Sequence, residues 1–255
     1  MAERELMQGE GFGGSWPFEA LKTVVYALLI AVFIRTFLFQ PFNIPSTSMQ
    51  DTLLVGDYLF VSKFAYGYSN HSFPWSPEVL KGRAWSAEPE RGDVVVFRLP
   101  ARPWEDYIKR VVGLPGDRIQ MIDGVLHING APCKLERVDD FVDVSDYGEE
   151  RVPRYRETLP NGVQHYILDR EPDKAGADNT QEFVVPPGHY FMMGDNRDNS
   201  NDSRIPDSGV GFVPAENLVG RADIIFFSTD GSAQIWEIWK WPAAIRYGRF
   251  FHAIG

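Results

Sequence analysis

Two serines stand two residues apart in the turn Ile44-Pro45-Ser46-Thr47-Ser48-Met49, and Pro45 stiffens the chain leading into them. A hydroxyl becomes a useful nucleophile only when a nearby base takes its proton. Taken alone, a serine in a turn simply bonds its local backbone. Lys109 has the setting a lysine base needs: Tyr107, Ile108, Val111 and Val112 flank it with apolar side chains, and an ammonium kept from water gives up its proton more readily. If that stretch is a strand, Arg110 points to the opposite face. Lys63 is a rival base, but its neighbours are of exposed type and promise no comparable apolar setting. His71, His127, His165, His189 and His252 lie apart from these segments, so a Ser-His-Asp triad is a lesser alternative, with His189 its best partner. The run Gly194-Asp195-Asn196-Arg197-Asp198-Asn199-Ser200-Asn201-Asp202-Ser203-Arg204 is dense in side chains that bond nearby backbone, and Asp195, Asn196, Asp198 and Asn199 read as caps of a loop. It lacks the glycine and terminal glutamate of an EF-hand, so no metal is expected, and no cofactor.

The elements that would position these residues begin with a stretch of membrane length, 18–39, in which Lys22 and Arg35 lie toward opposite ends. A helix of about 20 residues crosses a hydrocarbon core of about 30 Å. Gln40-Pro41-Phe42 follows it without a small-x-small cleavage pattern, which favours a retained anchor over a removed export signal. In the tail 1–17, Arg4 stands among Glu3, Glu5 and Glu10, so charge counting leaves the orientation open.

Beyond the anchor the pattern is one of short strands at 58–61, 94–97, 107–112, 125–128, 183–185, 189–193 and 222–227, separated by turns such as Leu114-Pro115-Gly116-Asp117 and Asp123-Gly124. The short spacings leave no room for helical crossovers, so the fold class is mostly β, with antiparallel sheets in a barrel-like or sandwich arrangement. A stretch richer in Asp, Glu, Arg and Pro, 133–181, interrupts this pattern as an inserted, β-rich accessory lobe, leaving 40–132 and 182–255 as the β core. Phe64-Ala65-Tyr66-Gly67-Tyr68 and the segment from Ile235 to Trp241, with Tyr247, Phe250 and Phe251, carry aromatics suited equally to a lipid interface or to ordinary packing.

The segment Pro45-Ser46-Thr47-Ser48-Met49, followed by Thr52-Leu53, Gly56-Asp57 and Lys63-Phe64, resembles the nucleophile region of the bacterial type I signal peptidases, or leader peptidases, a family of serine-lysine dyad proteases. Three further motifs follow in the family's order: Arg91-Gly92-Asp93-Val94-Val95-Val96-Phe97, the run from Asp106 to Asp117, and Gly194 to Arg204. The resemblance covers nearly the whole chain after the anchor except the insertion. It implies Ser48 as nucleophile and Lys109 as general base, with an oxyanion hole from the Ser48 N–H and the Ser46 hydroxyl. It further implies that Ser200 bonds the lysine amine and that Asp202 and Arg204 orient it. Thr47 departs from the glycine many members carry there.

The same resemblance implies that the substrate is the signal peptide of an exported preprotein, cut at small-x-small sites. Such a peptide would add as a strand beside Asp106-Tyr107 and 41–45. Ile44, Met49, Leu53, Tyr107 and Ile108 would line the pocket before the cut bond, and Phe42 and Val96 would shape the one two residues earlier. Expected partners are therefore signal peptides and the lipid bilayer, with the protein-export machinery a candidate. The expected location is the bacterial inner membrane, single-pass, with the catalytic domain on the periplasmic side. Ser48 lies about nine residues past the anchor, within about 30 Å at full extension.

Composition sets the outer bounds. A chain of 255 residues with a formal charge of -10 lacks the clustered cations of a nucleic-acid partner. A lone cysteine, Cys133, excludes an intrachain disulfide, so the fold must rest on its core.

Overall fold

A computed structural model describes residues 16–73, 76, 80–145, 148–170, 177–205, 209–234 and 236–255. The charges read in the tail and Ile235 lie outside them. Helix α1 (Trp16–Phe33) buries none of its residues, and a π-helical turn at Ile34–Leu38 carries it on. Together Trp16–Leu38 make 23 residues, long and apolar enough to cross a membrane. Strand β1 (Phe39–Asn43) begins at the next residue, so the sequence-based limit of the apolar stretch ran one residue into the sheet.

The remaining strands are β2 (Asp57–Ser62), β3 (Val94–Leu99), β4 (Arg102–Gly113), β5 (Arg118–Ile122), β6 (Val125–Ile128), β7 (Ala131–Pro132), β8 (Lys134–Arg137), β9 (Phe141–Ser145), β10 (Gly148–Val152), β11 (Arg154–Thr158), β12 (Gln164–Leu168), β13 (Phe183–Val184), β14 (His189–Met193), β15 (Phe212–Pro214), β16 (Leu218–Ser228) and β17 (His252–Ala253). The main sheet runs β1-β2-β16-β3-β4-β14-β15, with β17 on β16, and a second sheet runs β13-β5-β6-β7. Within 134–168, β12-β11-β8 and β10-β9 pair among themselves. Every pairing between these strands is antiparallel, as the short connections require.

The β-branched run of β3 shows why the main sheet is covered on both faces. Val94 and Val96 pack into one core with Met49, Leu53, Leu59 and Val61. Val95, Phe97 and Leu99 face the opposite way, into a second core with Tyr66, Val111 and Met192. This is the period-two alternation of a strand buried on both sides. A third core, with Val112, Ile119, Leu126, Phe191 and Cys133, joins the second sheet to β14. Cys133 is free and buried, and burial pushes its thiol up to about 12, so it packs as an apolar side chain. The aromatic segments divide: Tyr66 is buried and donates to Asp93, whereas Trp236, Ile238, Trp239 and Phe251 are largely exposed.

Candidate active site

Asn43 ends β1 and the chain turns back through Pro45 and the two serines. Ile44 N–H donates to Asp57 O and Gly56 N–H to Ile44 O, which pins the start of the turn to β2. Beyond the serines, Met49 and Leu53 are fully buried in the first core, so the apolar residues that flank the hydroxyls hold them in place. From the other side, Asn196 N–H donates to Ser48 O at 3.1 Å, and Asn196 Nδ2 donates to Thr47 O at 3.1 Å. Asn199 Nδ2 donates to Thr47 Oγ1 at 2.7 Å, so the threonine hydroxyl is used by this turn. Asn196 and Asn199 therefore brace the Ser48 turn across the fold. Read along the sequence they looked only like local caps, because the partner lies about 150 positions away.

Lys109 comes from β4. Its Nζ lies 2.6 Å from Ser48 Oγ and 3.1 Å from Ile108 O, and the side chain is 3% exposed. Burial lowers its pKa to about 8, against a smaller upward pull from Asp202 and Asp195. That shift is worth roughly 3 kcal/mol between the two protonation states. Arg110 points to the other face, as alternation requires, and clamps Asp195 with two bonds of 2.9 and 2.8 Å.

Lys63 corrects an expectation. It is buried, and desolvation followed by the charges of Arg35 and Arg98 lowers it to about 8 as well. The setting comes from segments distant in sequence: its amine is held by Gln40 Oε1 at 3.0 Å and by the Ser72 carbonyl. His189 Nδ1 bonds Pro187 O in its own turn. None of the five histidines lines the cleft described next.

Ser46 Oγ lies 3.4 Å from Ser48 Oγ. Asp202 accepts from Gly194 N–H at 3.0 Å and from Arg204 Nε and Nη2 at 3.0 and 2.9 Å. Burial opposes the Asp202 charge, but the Arg204 guanidinium, the Gly194 N–H and the Ser200 hydroxyl hold its carboxyl below the usual range. The Ser200 hydroxyl thus stands beside Asp202, while the amine of Lys109 is directed to Ser48 and Ile108.

Around this pair opens a cleft of about 800 Å³. One wall is 42–48, a second is Val96 with Asp106, Tyr107, Ile108 and Lys109, and a third is 197–201 with Ile205. Met49 and Leu53 are not on its surface; they form the packing beneath Ile44. Strand β4 pairs with β3 from Arg102 to Arg110, but its pairing with β14 covers only Arg110 to Gly113. The second edge of Asp106 to Ile108 thus faces the cleft without a partner strand among the described residues. An edge of that kind accepts an extended peptide.

Beside the third wall, Asp169, Asp178 and Asp198 bring carboxylate oxygens within 4.8 Å of one another. Burial, then the charges of Asp198 and Asp178, push Asp169 up to about 6, which relieves the repulsion by retaining a proton.

A hydroxyl and a desolvated amine thus meet at the floor of a cleft, in an antiparallel β fold behind a membrane-length helix, and the comparisons place the chain among the peptidases. The sequence model of the family "Signal peptidase, peptidase S26" matches residues 18–227, and the chain belongs to that family of serine peptidases. Among its relatives, signal peptidase I of Rickettsia canadensis (strain McKiel) is 44% identical over 218 residues, covering 82% of this chain and 79% of that protein. Signal peptidase I of Rickettsia bellii (strain OSU 85-389) is 40% identical over 248 residues, covering 90% and 83%. A crystal structure of a signal peptidase I from Enterococcus faecalis V583 is 27% identical and covers 53% of this chain and 97% of that one, at a TM-score of 0.32.

Proposed function

We propose that the chain removes N-terminal signal peptides from exported preproteins, with Ser48 as nucleophile and Lys109 as general base. The observation that carries this reading is the 2.6 Å separation of Lys109 Nζ and Ser48 Oγ in a site that lowers the amine to about 8. Near neutral pH the neutral amine takes the Ser48 proton as the oxygen attacks the scissile carbonyl, then returns it to the leaving amine. Water deacylates the ester with the same amine as base. The Ser48 N–H and the Ser46 hydroxyl meet the oxyanion, and Asp202 and Arg204 fix the loop carrying Ser200 behind the lysine.

The substrate binds as a strand on the open edge of β4 opposite 42–45. Val96, Ile44, Tyr107 and Ile108, with Phe42, shape shallow apolar pockets that admit alanine and exclude larger side chains, which is the origin of a small-x-small preference. Met49 and Leu53 act from below by fixing Ile44. Helix α1 anchors the chain in the cytoplasmic membrane with the catalytic domain on the periplasmic side. The β core, 40–132 and 182–255, carries the chemistry, and 133–181 is accessory.

Cleavage of a preprotein in detergent by wild type, Ser48→Ala and Lys109→Met tests the dyad. Both variants are expected to fold and to lose at least about 10³-fold in turnover. A folded Lys109→Met enzyme that still cleaves overturns the mechanism.

A further inference from the structure

The inserted lobe sends two charged-type side chains into the interior. Glu157 on β11 and His165 on β12 face each other in register, 1% and 5% exposed. Glu157 accepts two bonds from Arg197, of 3.0 and 2.6 Å, and His165 Nε2 stands 3.3 Å from Glu157 and 3.8 Å from Asp195. Asp195 in turn holds Arg110 and accepts from Thr52 Oγ1 at 2.5 Å. Two arginines, two carboxylates and one imidazole thus form a buried group whose charge balances when the imidazole is neutral. Burial, then Arg110, lower the His165 pKa, which agrees with that count. Burial alone would raise the Glu157 carboxyl, but Arg197 and His165 hold it far below the usual range.

Each guanidinium and carboxylate of the core side lies next to a residue of the proposed dyad site. Arg110 follows Lys109. Asp195 precedes Asn196, whose N–H holds Ser48 O. Arg197 O accepts from Arg204 Nη2 at 2.7 Å, and Arg204 clamps Asp202. The lobe also braces the Ser48 turn directly, through Arg154 on Asp51 at 2.9 Å and Asp143 on Gln50 at 3.2 Å. Buried ion pairs of this kind add little net stability over apolar packing, whereas removing one partner leaves an uncompensated charge that its neighbours must move to meet.

We propose that Glu157, with His165 beside it, is a positioning residue for peptide cleavage. Through Arg197 and Asp195 it sets the placement of the 194–204 loop against Ser48 and Lys109. The inserted lobe is then the back wall of the active site. This rests on the dyad reading above.

The test compares full-length wild type, Glu157→Gln and the double variant Glu157→Leu/Arg197→Met in detergent, each with turnover expressed per site titrated by a serine-acylating probe. Glu157→Gln is expected to lower kcat about 10- to 100-fold with KM within about 3-fold, the scale of a misplacement near 1 Å, and to move the acid limb of the pH profile. Glu157→Asp should recover part of the loss. The double variant removes both charges and preserves folding, and it is expected to stay slow. Glu136→Gln, a surface change on the same lobe, should turn over like wild type. Should Glu157→Gln show wild-type kcat per titrated site and only a lower Tm, or should the double variant regain full turnover, the positioning role is overturned. Lys109→Met run alongside separates the two readings: activity there sinks the dyad, whereas an inactive Lys109→Met beside a fully active Glu157→Gln sinks only the role of Glu157.

Discussion

Ser200 packs so closely over Gly194 that a β-carbon on the glycine would lie 2.2 Å from the serine hydroxyl oxygen and 2.5 Å from the carbonyl oxygen of Ser48. Rotating the Ser200 hydroxyl away would leave its β-carbon at 2.6 Å, and the Ser48 carbonyl is main chain that already receives the Asn196 N–H. Gly194→Ala is therefore expected to displace the Ser48 turn, lowering kcat by about 10²-fold with little change in far-UV circular dichroism. Wild-type kcat in a folded Gly194→Ala protein would refute the displacement of the turn.

The acid limb of kcat/KM should report Lys109. Its amine is neutral above about pH 8, so activity should fall about tenfold per unit below that value and level off above it. Lys63 titrates in the same range, but its amine is held by Gln40 and Ser72. Lys63→Met should keep the limb; a profile flattened by that change would transfer the base role to Lys63.

Ser46→Ala removes a hydroxyl donor while leaving the Ser48 N–H in place. The expected loss is about 10²- to 10³-fold in kcat with KM nearly constant, because the oxyanion exists only after attack. Steady-state kinetics on a peptide substrate decide it: equal losses in kcat and kcat/KM support the donor role, and a rise in KM alone would assign Ser46 to substrate binding.

Asp169 should set a pH-dependent stability. Folded, it keeps its proton up to about pH 6, against an ordinary value of 3.8. The native state therefore binds more protons between these values, and stability falls as pH rises through them, with the full penalty above about pH 6. Asp169→Asn should raise the unfolding free energy at pH 8 by on the order of 1–2 kcal/mol once partial solvent screening is allowed for, and the gain should shrink toward zero below about pH 4. Thermal unfolding at the two pH values measures it, and an equal gain at both would refute the assignment.

Strands made of β-branched runs were legible at once. Val94 to Phe97 appears where the spacing placed it, because burial of both faces imposes an uninterrupted apolar run, and Val125 to Ile128, whose burial alternates, appears between its two turn signals. Strand β1 was not legible: Phe39–Asn43 contains a proline and continues an aromatic stretch, and it is tolerated because β1 is an edge strand. Strands β8 to β12 carry many charges on partly exposed faces, so no single strand among them could be read from 133–181. At the site, the residues Ser48 and Lys109 stood out by motif and setting, whereas Glu157 and His165 left no trace. Their partners lie 30 to 40 positions away, and a lone glutamate or histidine in a polar strand looks like any exposed one.

Phe39 enters the sheet at the residue where the apolar helix ends, so helix and sheet share one continuous backbone with no linker between them. A strand of five residues advances about 17 Å, and the serine turn follows it immediately. The distance from the end of the helix to Ser48 is thus a fixed ruler. On the proposed reading, three or four flexible residues inserted after Leu38 should spread the positions at which a signal peptide is cut while leaving every group of the cleft intact.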